Sequence, residues 1–194
     1  MLRPVRLSAP ASTPVSLAEA KSHLRVEFDD DNELINSLVL AAVAHLEGWN
    51  GVLGRCLVTQ IWRQDFGAWG NGCLRLPFPD VTSVTVKYFD RDNAEQTVPA
   101  EQFEILEDAR GAFLRFIDAF AGPSLYEDRS DPVQVSFAAG YGDAAAVPQS
   151  IKQAMLLLIG HWYENREAVN IGNITSVLPM AVDALLAPHR RVGI

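Results

Sequence analysis

The sequence predicts an α+β protein: an N-terminal helix pair and C-terminal helices packed together, with a small antiparallel β domain inserted between them. Three observations predict it. Apolar residues recur at three- and four-residue steps from Ile35 to Trp49 and again from Ile151 to Trp162, the period of a helix with one buried face. Between these stretches the period changes to two, the signature of half-buried strands. The chain has 194 residues, 48% of them hydrophobic, enough for one compact core or one core with a sub-domain.

Residues 1–15 read as a flexible N-terminal arm, interrupted by Pro4, Pro10 and Pro14. Ser16 followed three residues later by Glu19 forms a capping-box pattern, in which each side chain satisfies the other residue's orphan N–H, and predicts a short helix over Leu17 to Leu24. Asp29, Asp30 and Asp31 suit the positive end of the next helix. Its apolar face is Ile35, Leu38, Val39, Ala42, Leu46 and Trp49, and Gly48 and Gly51 close it. In "LVTQIWRQDF" Leu57, Thr59, Ile61 and Arg63 alternate with Val58, Gln60, Trp62 and Gln64; Val84, Val86 and Tyr88 alternate with Thr85 and Lys87; Val133, Val135 and Phe137 repeat the pattern. "QFEIL", "EDARG" and "AFLRFI" read as a hairpin around a glycine-containing loop. About six strands are expected over 57–139. The helical period returns after Pro148, which suits a first turn. Ile151, Met155, Leu158 and Trp162 make a stripe flanked by Ala154, Leu157 and His161, so this helix is expected at the centre of the core. A last short helix is expected from about Pro179 to Leu186, stopped by Pro188. The expected organisation is an arm over 1–15, a helical core from 16–52 and 147–187, an inserted β domain over 53–146, and a basic tail over 188–194.

The formal net charge is −8, a poor basis for gripping DNA phosphates, which needs clustered Lys and Arg. Between Asp80 and Asp131 twelve acids face five bases, so the middle carries most of the negative charge, while Arg3 and Arg6 at the front and Arg190 and Arg191 at the back are basic. Cys56 and Cys73 lie in no C-x-x-C pair and cannot make a structural zinc site alone; they pair if their strands are neighbours, and buried free thiols are the more ordinary reading. The first residues lack the apolar core of a signal peptide, and no apolar run approaches a membrane span. A soluble chain made in the cytoplasm, without membrane contact, is expected.

The stretch "GHWYENREAVN" (160–170) raises the question of an active site. His161 and Glu164 stand at i and i+3 and could face one metal, but metal-binding bundles bring further carboxylates from other helices, and His23, His45 and His189 belong to no second motif. "GWNGVLGR" lacks the Lys-Ser/Thr of a phosphate-binding loop. No G-x-S-x-G, no H-E-x-x-H and no nucleophile with an evident base is present. Trp62, Phe66 and Trp69 suit a core or interface better than ligand stacking. The residues argue for no catalytic, metal or cofactor site, and mobile basic ends suit an assembly component.

The two helical ends then resemble a family. "VSLAEAKSHLRVEFDDDNELINSLVLAAVAHLEGW", through Leu17, Lys21, His23, Leu24, Arg25, Asp29, Asp30 and Asp31, is similar to the opening of the head–tail connector (adaptor) proteins of tailed phages. "VPQSIKQAMLLLIGHWYENREAV" resembles their helix from Pro to Tyr-Glu-Asn-Arg, and "LPMAVDALLAPHRRV" their closing segment. The resemblance covers about 15–50 and 147–192, with a β insertion as in longer members from phages, prophages and gene transfer agents. It implies a structural protein without catalytic residues or cofactor, at the head–tail junction of the particle. It implies a homo-oligomeric ring, a dodecamer in the particle, docked on the portal protein, extending the channel through which double-stranded DNA passes without sequence-specific binding, and carrying the next neck (stopper) or tail protein. Within that expectation the basic tail Pro188, His189, Arg190, Arg191, Val192, Gly193 and Ile194 is the candidate for portal binding, through arginine bonds to acidic or carbonyl groups. Leu24, Leu38, Leu46, Trp49, Leu158, Trp162, Tyr163 and Arg166 are the candidates for helical core and subunit packing. Another neck or tail-completion protein acting on the tail side, or a small-ligand-binding module, are the alternative readings.

Overall fold

The computed structural model describes residues 2–166 and 180–191. Helices and antiparallel sheets make an α+β fold, as expected, and the chain divides into two units.

The helical unit takes residues 12–58 and 142–190 among those described. Helix α1 (Leu17–Leu24) begins at the capping box: the Glu19 N–H donates to Ser16 Oγ (3.2 Å) and the Ser16 N–H to Glu19 Oε2 (2.7 Å). It ends at Arg25, left-handed at φ 57°. Helix α2 (Asn32–Leu46) buries Ile35, Val39, Ala42 and Leu46, one face at the spacing the sequence shows. In the turn after it, Val52 and Leu53 N–H groups donate back to His45 and Leu46 carbonyls, satisfying helix-end acceptors. Helix α3 (Gln149–Glu164) follows Pro148 and buries Ile151, Ala154, Met155, Leu158 and Ile159. It touches α1, α2 and α4 (Met180–Leu186), so it is the central helix. Each fully buried leucine or isoleucine contributes about 1.5–3 kcal/mol by leaving water.

The β unit takes residues 2–11, 59–141 and 191 among those described. Its strands are β1 (Val5–Ser8), β2 (Gln60–Phe66), β3 (Cys73–Arg75), β4 (Val81–Phe89), β5 (Glu95–Val98), β6 (Phe103–Asp108), β7 (Gly111–Phe116) and β8 (Val133–Ala139). One sheet runs β1-β2-β8-β4-β5 and the other β3-β7-β6, with every pair antiparallel. Phe137 sits opposite Trp62 on one side and Val84 on the other, so the expected alternations share a face. Val133, Val135, Phe137 and Val86 are buried there, and Trp62 and Phe78 meet edge to face at 4.8 Å.

Several expectations are corrected. The flexible arm contains strand β1, held as an edge strand by the register Val5–Arg63 and Arg6–Trp62 and by a bond from the Leu2 N–H to the Asp65 carbonyl (3.0 Å); Pro4 stands just outside it, where no ladder donor is needed. The sequence left open which side of β2 faces the core; the inward face carries Gln60 and Gln64, both buried, while Ile61 is 43% exposed. The Gln64 amide donates to the Leu2 carbonyl (2.6 Å), and Gln60 Oε1 accepts from the Trp62 indole N–H (3.1 Å), while Gln64 Oε1 is buried without a hydrogen-bond partner among the described residues. Cys56 is buried but Cys73 is exposed, and neither is in a disulfide. Trp49 is not core within the chain: it lies past the end of α2, 43% exposed.

Candidate functional site

The polar end of α3 closes on the start of α2. Tyr163 Oη donates to Asp31 Oδ2 at 2.5 Å, and Arg166 Nη2 donates to the same oxygen at 3.0 Å. The Arg166 guanidinium also lies over the Tyr163 ring, 4.7 Å from its centre. The Tyr163 hydroxyl, then Arg166, hold the Asp31 carboxyl below its ordinary range, and the same carboxylate raises the Tyr163 hydroxyl. The Asn165 side chain and backbone N–H both donate to the His161 carbonyl, at 2.8 and 3.0 Å. Asp31 occupies the N-cap of α2 but makes no side-chain cap bond; its charge is spent on α3 instead. Beside it Lys21 bridges Asp29 and Asn32, each at 2.8 Å.

This arrangement ties the end of α3 to the start of α2. A carboxylate with two donors on one oxygen and a lowered pKa is a weak base. Glu164 is exposed. Among the described residues no group of three His, Cys, Asp or Glu side chains is placed to hold a metal.

The described part of the basic tail is bonded within the chain. Ala187–His189 form a 3-10 turn after α4. His189 Nε2 lies 2.7 Å from Ser150 Oγ, and burial, then the charge of Arg55, lower its pKa. Arg190 pairs with Asp183 at 2.6 Å. In the β unit Arg191 donates to the Arg110 carbonyl through Nε (2.9 Å) and Nη2 (2.6 Å) and to the Pro77 carbonyl through Nη1; burial lowers its pKa. Pro188 and Arg190 remain exposed. Val192, Gly193 and Ile194 lie outside the described residues.

Of the residues expected to pack, Leu46 and Leu158 are fully buried. Leu24, Leu38, Trp162 and Tyr163 are half-buried, and Arg166 is exposed. Sequence reasoning missed Asp31 as the partner of Tyr163 and Arg166. It also missed the outward apolar residues Leu40 and Val52, 53% and 38% exposed, because helical periodicity marks only the face that repeats.

Comparison with known proteins bears out the resemblance. Residues 14–58 match the family described as phage gp6-like head-tail connector protein. No curated protein matches the chain. Among solved structures, a chain in the neck of an empty gene transfer agent particle computed with C6 symmetry aligns with a TM-score of 0.79 at 25% identity, covering 100% of this chain and 97% of that one. A chain in the virion of the native gene transfer agent particle gives a TM-score of 0.80 at 24% identity with the same coverage. One in the native neck computed with C12 symmetry gives 0.72 at 22% identity, again covering 100% and 97%.

Proposed function

We propose that this chain is a structural protein of the neck of a tailed-phage-like particle, a head–tail adaptor that works as a ring at the head–tail junction. The observation that carries the reading is the whole-chain likeness, at a TM-score of 0.79 and 25% identity over 100% of the chain, to a neck chain of a gene transfer agent particle. The connector-family match over 14–58 supports it independently. The clasp between Asp31 and the end of α3 fits a part whose work is done by surfaces.

The ring is a dodecamer in the particle, in keeping with the C12 symmetry used for a neck that holds a similar chain. It docks on the portal and carries the next neck or tail protein on its other side. Pro188–Ile194 make the portal contact, with Arg190 exposed beside its Asp183 partner. Double-stranded DNA passes through the channel without sequence-specific binding; where the acidic β unit lines that channel, it repels the duplex and lets it slide. No step of this role is catalytic.

Mass photometry of the purified chain, alone and mixed with its cognate portal, tests the reading. The expected result is a ring-sized species that appears with portal. A chain that stays monomeric and ignores the portal overturns portal docking and moves the assignment to the tail side.

A further inference from the structure

The outer face of α2 has no partner within the described chain. Ile35, Val39, Ala42 and Leu46 point inward, so Ser37, Leu40, Ala41 and Ala44 lie on the opposite side at 100° per residue, and all four are exposed. Between Glu33 and Glu47 the helix has no Asp, Glu, Lys or Arg. Leu40 is 53% exposed, and the turn after the helix adds Trp49 at 43% and Val52 at 38%. A helix face bathed by water normally carries charge; an uncharged one with a large exposed apolar residue, followed by two more in the next turn, suits a contact surface. Ala41 and Ala44 leave room for close approach of another helix.

The same unit offers a receiving surface. A groove of about 540 Å³ runs between α1 and α3, with Val15, Ala18 and Leu156 along it and Ser22, Gln149 and Lys152 among its polar lining. Helix α2 packs its buried stripe toward α1 and α3, so its outer face points away from them, and face and groove are separate surfaces. Two unlike, complementary surfaces on one chain are what a head-to-tail contact requires, and such contacts close into rings.

We propose that the outer face of α2 docks into the α1–α3 groove of the next copy of this chain, with Leu40 and Trp49 as anchors. The occupant is a second copy because one chain carries both halves of the contact and because similar chains occur in necks with C6 and C12 symmetry. The inference rests on the ring reading above. Tryptophan is among the commonest anchors of protein contacts, and an uncharged face asks no counter-charge of its groove, whose Lys152 can keep its ammonium in water.

The test uses the full chain assembled with its portal. Leu40→Glu spoils the face and leaves the groove; Ala18→Arg spoils the groove and leaves the face. Each is expected to reduce the ring-sized species at least about tenfold without moving the unfolding midpoint, since both sites are exposed. Mixing the two variants leaves one sound contact per pair and is expected to give dimers without rings. In a Cys73→Ser background, Ala44→Cys with Ser22→Cys is expected to yield a ladder of multimers with a flexible bismaleimide, a readout that holds even if Leu40→Glu unfolds. Rings that form unchanged in both charge variants, with no ladder from the double-cysteine chain, overturn the proposal and leave the ring standing. A wild-type chain that makes no ring with portal brings down the ring reading first, and this contact with it.

Discussion

Replacing Leu158 with alanine measures how far α3 holds the helical unit together. Leu158 is fully buried on the central helix, which touches α1, α2 and α4. The substitution removes three carbons, and at roughly 0.8 kcal/mol each the lost transfer energy is about 2.4 kcal/mol. Neighbours on several sides cannot all close in, so a residual cavity adds to this, and the total falls at about 3–4 kcal/mol. With a urea dependence of about 2 kcal/mol per molar for a unit of this size, the midpoint drops by about 1.5–2 M. Far-UV circular dichroism through a urea titration reads it. Leu40→Ala is the control: the same atoms leave a site that is 53% exposed, and the expected change is within about 0.5 kcal/mol. A loss below about 1 kcal/mol at Leu158, or equal losses at both sites, would refute the placement of α3 at the centre of the core.

Other tests address single contacts. Asp108 accepts from both Arg75 nitrogens (2.9 and 2.8 Å) and from the Arg110 N–H (2.8 Å), and Arg75 first, then the Arg110 N–H, lower its carboxyl from 3.8 to about 2. The folded pKa lies below the unfolded one, so this stabilisation is complete above about pH 4 and fades as pH falls through about 2; Asp108→Asn is expected to flatten the stability–pH slope in that window, read by thermal melts in acid. Gly51→Ala places a methyl 2.3 Å from the Glu47 carbonyl oxygen, and is expected to lower stability by about 1–3 kcal/mol in the same urea assay. A thiol reagent is expected to label Cys73 in the native chain and Cys56 only after unfolding, because one is exposed and the other buried; labelling of both at equal rates would contradict this.

What the sequence discloses follows the range of the forces involved. Helix α1 runs over the residues expected from Ser16 and Glu19 alone, because both capping bonds close within four residues. The β6–β7 hairpin was legible for the same reason: Asp108 pairs with Gly111 across a two-residue turn. Strand β1 was not. Val5, Arg6, Leu7 and Ser8 alternate apolar and polar, but four residues are too short a run to tell a strand from an arm, and β2, which makes β1 a strand, lies more than fifty residues away. Gln60 and Gln64 ran against the rule in another way. Alternation puts them on one face with Trp62 without telling which face looks inward; neighbouring Val135 and Phe137 are so strongly buried that the period-two geometry carries the glutamines inward with them. The tail read as a separate basic end because charge is visible in sequence while the carbonyls that receive Arg191, those of Pro77 and Arg110, are not.

The clasp joins the two stretches on which the resemblance rests. Asp31 belongs to the acidic cluster of the first stretch, and Tyr163 and Arg166 to the second. They are 132 and 135 positions apart in sequence and share one carboxylate oxygen. A charged pair that fixes the approach of α3 to α2 constrains both partners at once, whereas a strand on a β insertion constrains only its neighbours. Breaking the pair separates the two roles it could have. Asp31→Asn keeps the shape and removes the charge; if the clasp is an anchor for ring packing, rings with portal are lost while the unfolding midpoint moves little, and Arg166→Lys, which keeps the charge but not the planar fork, gives an intermediate loss. Rings that form normally in both variants would leave the contact as a local fastening of the helical unit.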